Sequence, residues 1–127
     1  MKCILLVDDQ EMSRQALKLI LEYHGYACKE AEHGAAALAY LEKGENVDLI
    51  VSDQQMPIMT GLELLVQVRG NPHLGSTPFI LYSGGLTDEI TWQAHQLKVK
   101  AVLSKPLNFS ELVAIVAKGL DPTNTSH

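Results

Sequence analysis

The fold is decided by residues 47–53, whose sequence is Val-Asp-Leu-Ile-Val-Ser-Asp. Residues 47–52 form an almost continuous apolar run of strand length, which is typical of a strand covered on both faces of a sheet. The run leads into the carboxylate of Asp53. We therefore predict a central strand with an acidic side chain at its carboxyl end.

Three further apolar runs of strand length lead into residues that phosphoryl-transfer chemistry can use. Residues 4–7 precede Asp8 and Asp9, residues 79–82 precede Ser83, and residues 101–104 precede Lys105 and Pro106. Helical patterns separate these runs, and such alternation predicts βαβ units with a parallel sheet. If the strands are adjacent, these polar groups converge at one edge of the sheet, where open α/β sheets bind ligands.

Five strands and five helices are predicted in all. The strands are residues 3–7, 26–31, 47–52, 79–82 and 101–104, and the helices are residues 11–24, 34–43, 62–69, a segment capped by Thr87 and a segment capped by Asn108 with Glu111. Apolar residues recur at helical spacing in the first helix, and we expect them to face the core: Met12, Ala16, Leu19, Ile20 and Tyr23.

Parallel strands joined by right-handed crossovers are commonly ordered 2-1-3-4-5. This order places strands 1, 3, 4 and 5 side by side and leaves strand 2, which ends in no comparable group, at the edge. The switch point then lies between strands 1 and 3, whose backbones are about 4.8 Å apart. The predicted fold is a doubly wound α/β sheet.

The composition limits the classes of function. A chain of 127 residues fits one domain, and its formal net charge of -5 argues against a nucleic-acid surface, which would need clustered Lys and Arg. No apolar run is long enough to span a membrane, and the first residues do not resemble a signal peptide. We expect a cytoplasmic protein in which Cys3 and Cys28 are free thiols.

Three carboxylates at the switch point predict a metal site. Two like charges near 4 Å repel by about 4 kcal/mol at an effective dielectric of 20, so Asp8, Asp9 and Asp53 should either hold a proton or bind a cation. Oxygen ligands favour a hard cation, and a few carboxylates with retained waters are typical of Mg²⁺. We therefore predict a Mg²⁺ site.

The remaining groups suit phosphoryl transfer to a carboxylate. Asp53 stands alone at the end of the central strand and is the candidate nucleophile, whereas Asp8 and Asp9 are paired and better suited to hold metal. Lys105 begins roughly 10 Å away, but its flexible side chain can reach back toward Asp53. Ser83 supplies a hydroxyl that can donate to a phosphoryl oxygen.

As a set, these residues resemble the receiver domain of two-component response regulators, and the resemblance extends to about residue 120. It is carried by Asp8-Asp9, by Asp53 followed by Met56-Pro57 and Gly61, by Ser83, and by Lys105-Pro106. The resemblance implies a flavodoxin-like sheet and supports the strand order above. Residues 1–120 would form the domain, and residues 121–127 a flexible tail or the start of a linker.

The resemblance also implies a function. Asp53 would accept a phosphoryl group from the phosphohistidine of a histidine kinase or phosphotransfer protein, with Mg²⁺ held by Asp8, Asp9, Asp53 and the backbone carbonyl of Gln55. Ser83 and Lys105 would bind the phosphoryl oxygens, and the Lys105–Pro106 bond would be cis. The output surface would be formed by the fifth strand and its flanking helices, acting on a downstream protein or a fused output domain.

Two features depart from the family pattern. Val102 occupies the position, three residues before Lys105, where many receivers have an aromatic residue that turns inward on activation. Lys98 stands where the family often has glycine. Gly84-Gly85 follow Ser83, and two adjacent glycines predict that this loop is mobile. The chemical part of the switch therefore matches the family better than the route to the output surface.

Two other functions share part of this pattern. A phosphohydrolase of the haloacid dehalogenase type also uses an Asp nucleophile, but it places that residue after the first strand and usually has a substrate cap. A receiver-like binding module regulated without phosphate is the other alternative. The position of Met1, two residues before the first strand, favours an intact amino terminus. We expect a signalling switch rather than an enzyme, monomeric or weakly dimeric.

Overall fold

A computed structural model describes residues 1–121 of the chain. Five strands alternate with five helices: β1 Cys3–Val7, α1 Glu11–Tyr23, β2 Ala27–Ala31, α2 Gly34–Glu42, β3 Leu49–Asp53, α3 Gly61–Gly70, β4 Phe79–Ser83, α4 Asp88–Gln96, β5 Ala101–Ser104 and α5 Phe109–Leu120. All sheet pairs are parallel and the strand order is β2-β1-β3-β4-β5. The predicted doubly wound order is confirmed. Apart from Asp121, the predicted tail lies outside the described residues.

The sheet separates two hydrophobic cores. Alternate residues of each strand point to opposite faces. Thus Leu5, Ile50 and Leu81 pack toward α2, α3 and α4. The neighbouring residues, among them Leu6, Val51 and Tyr82, belong to the core that contains buried residues of α1 and α5. The central strand β3 is buried throughout, as its apolar sequence predicts.

The predicted core face of α1 is wrong at most positions, although Ile20 is half-buried and packs against the core. Met12, Leu19 and Tyr23 are 88%, 74% and 83% exposed, and the buried residues of the helix are Leu17 and Leu21. Apolar residues lie on both sides of this helix, so periodicity alone does not determine its rotation.

Ion pairs to β2 accompany the observed rotation of α1. Glu30 on β2 lies 2.8 Å from Arg14 Nε and 3.2 Å from Lys18 Nζ. Because these basic residues are one turn apart, they turn one side of α1 toward β2 while Leu17 and Leu21 enter the core.

Helix ends confirm most of the predicted caps. Thr87 accepts a hydrogen bond from the Ile90 amide, and Asn108 accepts one from the Glu111 amide. A complete capping box is found between Thr60 and Glu63, at the start of α3. Cys3 and Cys28 are free thiols, as expected. Among residues 1–121, no helix combines the length and apolar character needed to cross a membrane.

Candidate functional site

The carboxyl ends of four strands bring the predicted polar residues to one edge of the sheet. Asp8 follows β1, Asp53 and Ser83 end β3 and β4, and Lys105 follows β5. The strand register aligns these ends, since Val7 pairs with Ser52, Asp53 with Tyr82, and Ser83 with Ser104. Parallel pairing therefore builds the site from residues that are up to 97 positions apart.

Three carboxylates form an acidic cluster at this edge. One oxygen from each of Asp8, Asp9 and Asp53 lies within 4.8 Å of the others. Asp8 and Asp53 are buried, whereas Asp9 is exposed. The cluster suits a hard divalent cation because like charges at this spacing repel and carboxylate oxygens are its preferred ligands.

Asp8 is held on both of its carboxylate oxygens. Its Oδ1 accepts a hydrogen bond from the Gln10 amide at 2.9 Å, and its Oδ2 accepts one from the Tyr82 hydroxyl at 2.6 Å. The Asp8 carbonyl also accepts a hydrogen bond from Arg14 Nη1 at 2.7 Å. These bonds fix both the backbone and the side chain of Asp8.

Asp53 lies between the acidic cluster and the lysine. Its Oδ1 accepts a hydrogen bond from the Gln55 amide at 3.0 Å, and its Oδ2 lies 2.8 Å from Lys105 Nζ. Burial raises the pKa of the Asp53 carboxyl, with a smaller increase from Asp8, although Lys105 and the Gln55 amide act in the opposite direction. The expectation that Lys105 reaches back toward Asp53 is confirmed.

Ser83 and Gln55 lie at the rim of the same site. Ser83 is buried, and its Oγ accepts a hydrogen bond from the Gly85 amide at 3.0 Å. Gln55 is exposed, and its side chain lies close to Gly85. A Cβ added to Gly85 would be only 2.7 Å from Gln55 Nε2. Ligation by the Gln55 backbone carbonyl stays a prediction.

Three residues support the site in ways that the sequence does not indicate, although Gly61 is also part of the family resemblance. The side chain of Gln54 accepts a hydrogen bond from the Leu62 amide at 2.7 Å, which ties the loop after β3 to α3. Gly61 packs so closely that an added Cβ would collide with the Asp53 carbonyl. Tyr82 donates a hydrogen bond to Asp8, and its hydroxyl among the apolar residues that precede Ser83 in β4 was the signal that could have identified it.

The Lys105–Pro106 peptide bond is cis, as the family resemblance implies. Val102, the residue that replaces the usual aromatic side chain, is half-buried and packs against the core beside α2, α3 and α4. Lys98 has a positive φ of 61°, the backbone region that favours glycine. A glycine at this position would adopt this backbone conformation without strain.

Comparisons with known proteins agree with this geometry. The family model described as "Response regulator receiver domain" matches residues 4–117. The chemotaxis protein CheY of Pseudomonas aeruginosa is 32% identical over 122 residues, covering 95% of this chain and 98% of that protein. The two-component response regulator ORR13 of Oryza sativa is 30% identical over 113 residues, covering 89% of this chain and 93% of that protein.

Solved structures show the same fold. CheY4 of Vibrio cholerae superposes with a TM-score of 0.87 at 31% identity, covering 94% of this chain and 99% of that chain. The receiver domain of a histidine kinase from Syntrophus aciditrophicus gives a TM-score of 0.88 at 28% identity, covering 100% of this chain and 96% of that chain. These matches do not support the phosphohydrolase alternative. The chain belongs to the family of response regulator receiver domains of two-component systems.

Proposed function

We propose that this receiver domain is switched by phosphorylation of Asp53. The observation that carries the proposal is the position of the Asp53 carboxylate, 2.8 Å from Lys105 Nζ and within 4.8 Å of carboxylate oxygens of Asp8 and Asp9. Such a site combines a nucleophilic oxygen with a neighbouring positive charge and a place for a divalent cation. The phosphoryl donor is the phosphohistidine of a histidine kinase or phosphotransfer protein.

The donor set fits Mg²⁺. Asp8, Asp9, Asp53 and the backbone carbonyl of Gln55 would hold the ion, and all of these ligands are hard oxygen donors. When bound, Mg²⁺ supplies positive charge that relieves the repulsion among the carboxylates and attracts phosphoryl oxygens. The exposure of Asp9 leaves it accessible to a hydrated ion.

In the transfer step, a carboxylate oxygen of Asp53 forms a bond to the phosphorus atom as the bond from phosphorus to the histidine nitrogen breaks. The electron pair of the broken bond stays on the imidazole nitrogen of the donor. Lys105 stabilises the charge on the transferred group, and Ser83 donates a hydrogen bond to one of its oxygens. The chain thereby assists its own phosphorylation and dephosphorylation.

The new phosphoryl group changes the contacts of Ser83. Before phosphorylation, Ser83 Oγ accepts a hydrogen bond from the Gly85 amide. When Ser83 moves toward the phosphoryl oxygens, the loop between β4 and α4 shifts with it. The output surface is β5 with α4 and α5, which contacts a downstream protein or a fused output domain. The domain acts in the cytoplasm as a monomer or weak dimer, without direct contacts to nucleic acid or membrane.

The test is phosphorylation in vitro. The protein is incubated with Mg²⁺ and a small phosphodonor such as acetyl phosphate, and its intact mass is measured. We expect one phosphate adduct in the wild-type chain and in the control Asp88→Asn, which changes an aspartate on α4. We expect none in Asp53→Asn.

An adduct that persists in Asp53→Asn would show that another residue is the acceptor. If the wild-type chain remains unmodified under conditions that label a known receiver, the alternative of a module regulated without phosphate is favoured instead.

A further inference from the structure

Tyr82 contacts both sides of the site. It is fully buried on β4, where it pairs in register with Asp53. Its hydroxyl donates a hydrogen bond to Asp8 Oδ2 at 2.6 Å, and its ring centroid lies 5.4 Å from Lys105 Nζ. Lys105 in turn lies 2.8 Å from Asp53 Oδ2. One side chain thus links a predicted metal ligand to the lysine that holds the phosphoacceptor.

The hydroxyl fixes the orientation of Asp8. A buried carboxylate oxygen needs a hydrogen-bond donor, and a bond of this length to an ionised acceptor is a strong one. The Gln10 amide holds the other oxygen, so two donors together determine the plane of the carboxylate. Each oxygen has two acceptor positions, which leaves room for a metal or its bound water.

The phenol of Tyr82 is the donor in this contact, because a carboxylate oxygen can only accept a hydrogen bond from it. The interaction between its ring and Lys105 is electrostatic, because an ammonium group is attracted to the negative face of an aromatic ring. Lys105 is 29% exposed, so this contact limits the orientations open to a flexible side chain.

We propose that Tyr82 is a positioning residue of this site, whose hydroxyl orients Asp8 for metal binding and whose ring directs Lys105 toward Asp53. The proposal rests on the metal site assigned under the proposed function. It predicts that the hydroxyl and the ring make separable contributions: the first to Mg²⁺ affinity and the second to the placement of Lys105.

The hydroxyl is tested with Tyr82→Phe, which removes one oxygen atom and keeps the ring. The matched control is Tyr40→Phe on α2, outside the acidic cluster. Mg²⁺ affinity is measured by calorimetric titration, and melting temperatures verify that each variant is folded. We expect about tenfold weaker Mg²⁺ binding in Tyr82→Phe, the lower end of the effect of losing an outer contact to a metal ligand. The control should bind Mg²⁺ like the wild type.

A Mg²⁺ affinity within twofold of wild type in Tyr82→Phe, or a higher one, would overturn the role of the hydroxyl. So would a wild-type chain that binds no Mg²⁺. If Tyr82→Phe unfolds in the absence of metal, its Mg²⁺ affinity is obtained from the midpoint of metal-dependent refolding after correction for the folding equilibrium, with the same tenfold expectation.

The ring is tested by NMR on wild type and Tyr82→Phe. A ring above the ammonium shields the ε-methylene protons of Lys105, so their signals should lie upfield of those of Lys100 in both proteins. Tyr82→Leu should abolish this shift and slow phosphorylation at saturating Mg²⁺ by roughly 2- to 30-fold relative to Tyr82→Phe, the range of cation–π strengths. Absence of the upfield shift in wild type would overturn the role of the ring.

These measurements separate the inference from the proposed function. If the wild type binds Mg²⁺ and Tyr82→Phe binds it more weakly, but Asp53 is never phosphorylated, the role of Tyr82 stands and the proposed function fails. If Asp53 is phosphorylated and both proteins bind Mg²⁺ equally, the proposed function stands and the role of the hydroxyl fails.

Discussion

The site lies at the carboxyl edge of the sheet, and its acidic and basic halves are built differently. In the acidic half, at the ends of β1 and β3, Asp8 and Asp53 are buried and each carboxylate oxygen has a hydrogen-bond partner or an ion pair. In the basic half, at the ends of β4 and β5, Gly84 and Gly85 are exposed and Lys105 is partly so. Asp8 and Asp53 are therefore held in position before any ligand arrives, whereas the glycine loop and Lys105 are less enclosed.

This difference suits a switch. Transfer to a carboxylate requires reacting groups in fixed positions, whereas a signal requires an element that changes its arrangement. Ser83 lies at the boundary, because it is buried at the end of β4 and contacts the exposed glycine loop. Chemistry on one side of this boundary can thus be converted into movement on the other.

The largest expected effect comes from removing a ligand in the acidic half. Asp9 is the exposed member of the cluster, and Asp9→Ala should weaken Mg²⁺ binding by about 100-fold, at least as much as the loss of an outer contact can cost. The control is Glu11→Ala, an exposed acidic residue two positions later that lies outside the cluster. Calorimetric titration measures both. Unchanged Mg²⁺ affinity in Asp9→Ala would remove Asp9 from the proposed ligand set.

The packing of the two halves can be compared by replacing one glycine in each half with alanine. A Cβ on Gly61 would collide with the Asp53 carbonyl, so Gly61→Ala should lower the free energy of unfolding by about 2 kcal/mol. A Cβ on Gly84 would make only ordinary van der Waals contacts with Lys105, at 3.9 Å. Gly84→Ala should therefore change the free energy of unfolding by less than about 0.5 kcal/mol. Chemical denaturation measures both values. Equal losses would contradict the proposed difference between the halves.

The sequence predicts the residues at the strand ends better than the contacts that support them. Strand ends place Asp8, Asp53, Ser83 and Lys105 correctly because a parallel sheet aligns every carboxyl end at one edge. The contact between Tyr82 and Asp8 depends on strand register and on how far a ring reaches across β3, which a strand pattern does not specify. For the same reason, the family resemblance includes Gly61 but does not reveal its close contact with the Asp53 carbonyl.

The rotation of α1 shows a second limit of the sequence. Its apolar residues satisfy helical spacing on more than one face, so the pattern allowed Met12, Leu19 and Tyr23 to be placed in the core. Contacts with β2, which is distant in sequence, accompany the observed rotation through Glu30. Local periodicity contains no information about such contacts.

A smaller effect concerns the free energy that is lost by burying the Asp53 carboxylate. The pKa of Asp53 is raised in the folded state, so the folded chain favours the protonated form and loses stability as pH rises from the ordinary carboxyl pKa through the raised one. Asp53→Asn should therefore be more stable than wild type at pH 7 without Mg²⁺, by about 1 kcal/mol, a usual gain when a functional site is relieved.

The advantage of Asp53→Asn should disappear as pH falls below the ordinary carboxyl pKa, where the wild-type side chain is also neutral. Thermal unfolding over a pH series measures this difference, and added Mg²⁺ should reduce it because the ion stabilises the wild type. A variant that is less stable than wild type at pH 7 would show that the pair with Lys105 outweighs burial.

The smallest effect compares the ends of two helices, α1, which leads into the edge strand β2, and α4, which leads into β5. The amides of Gly25 and Tyr26 after α1 bond the carbonyls of Glu22 and Leu21, and those of Lys98 and Val99 after α4 repeat this pattern with His95 and Ala94. Both turns need a positive φ, 92° at Gly25 and 61° at Lys98, but only one of them has glycine.

Lys98→Gly should therefore stabilise the chain by about 0.5 kcal/mol, because relief of the left-handed backbone exceeds the added freedom of the unfolded chain. The reciprocal variant Gly25→Ala should lose about 1 kcal/mol. Denaturation midpoints at unchanged slope measure both shifts. Since Lys98 lies in the connection between α4 and β5, a gain there would show that backbone strain is stored in this connection. A loss would show that the lysine side chain stabilises the turn.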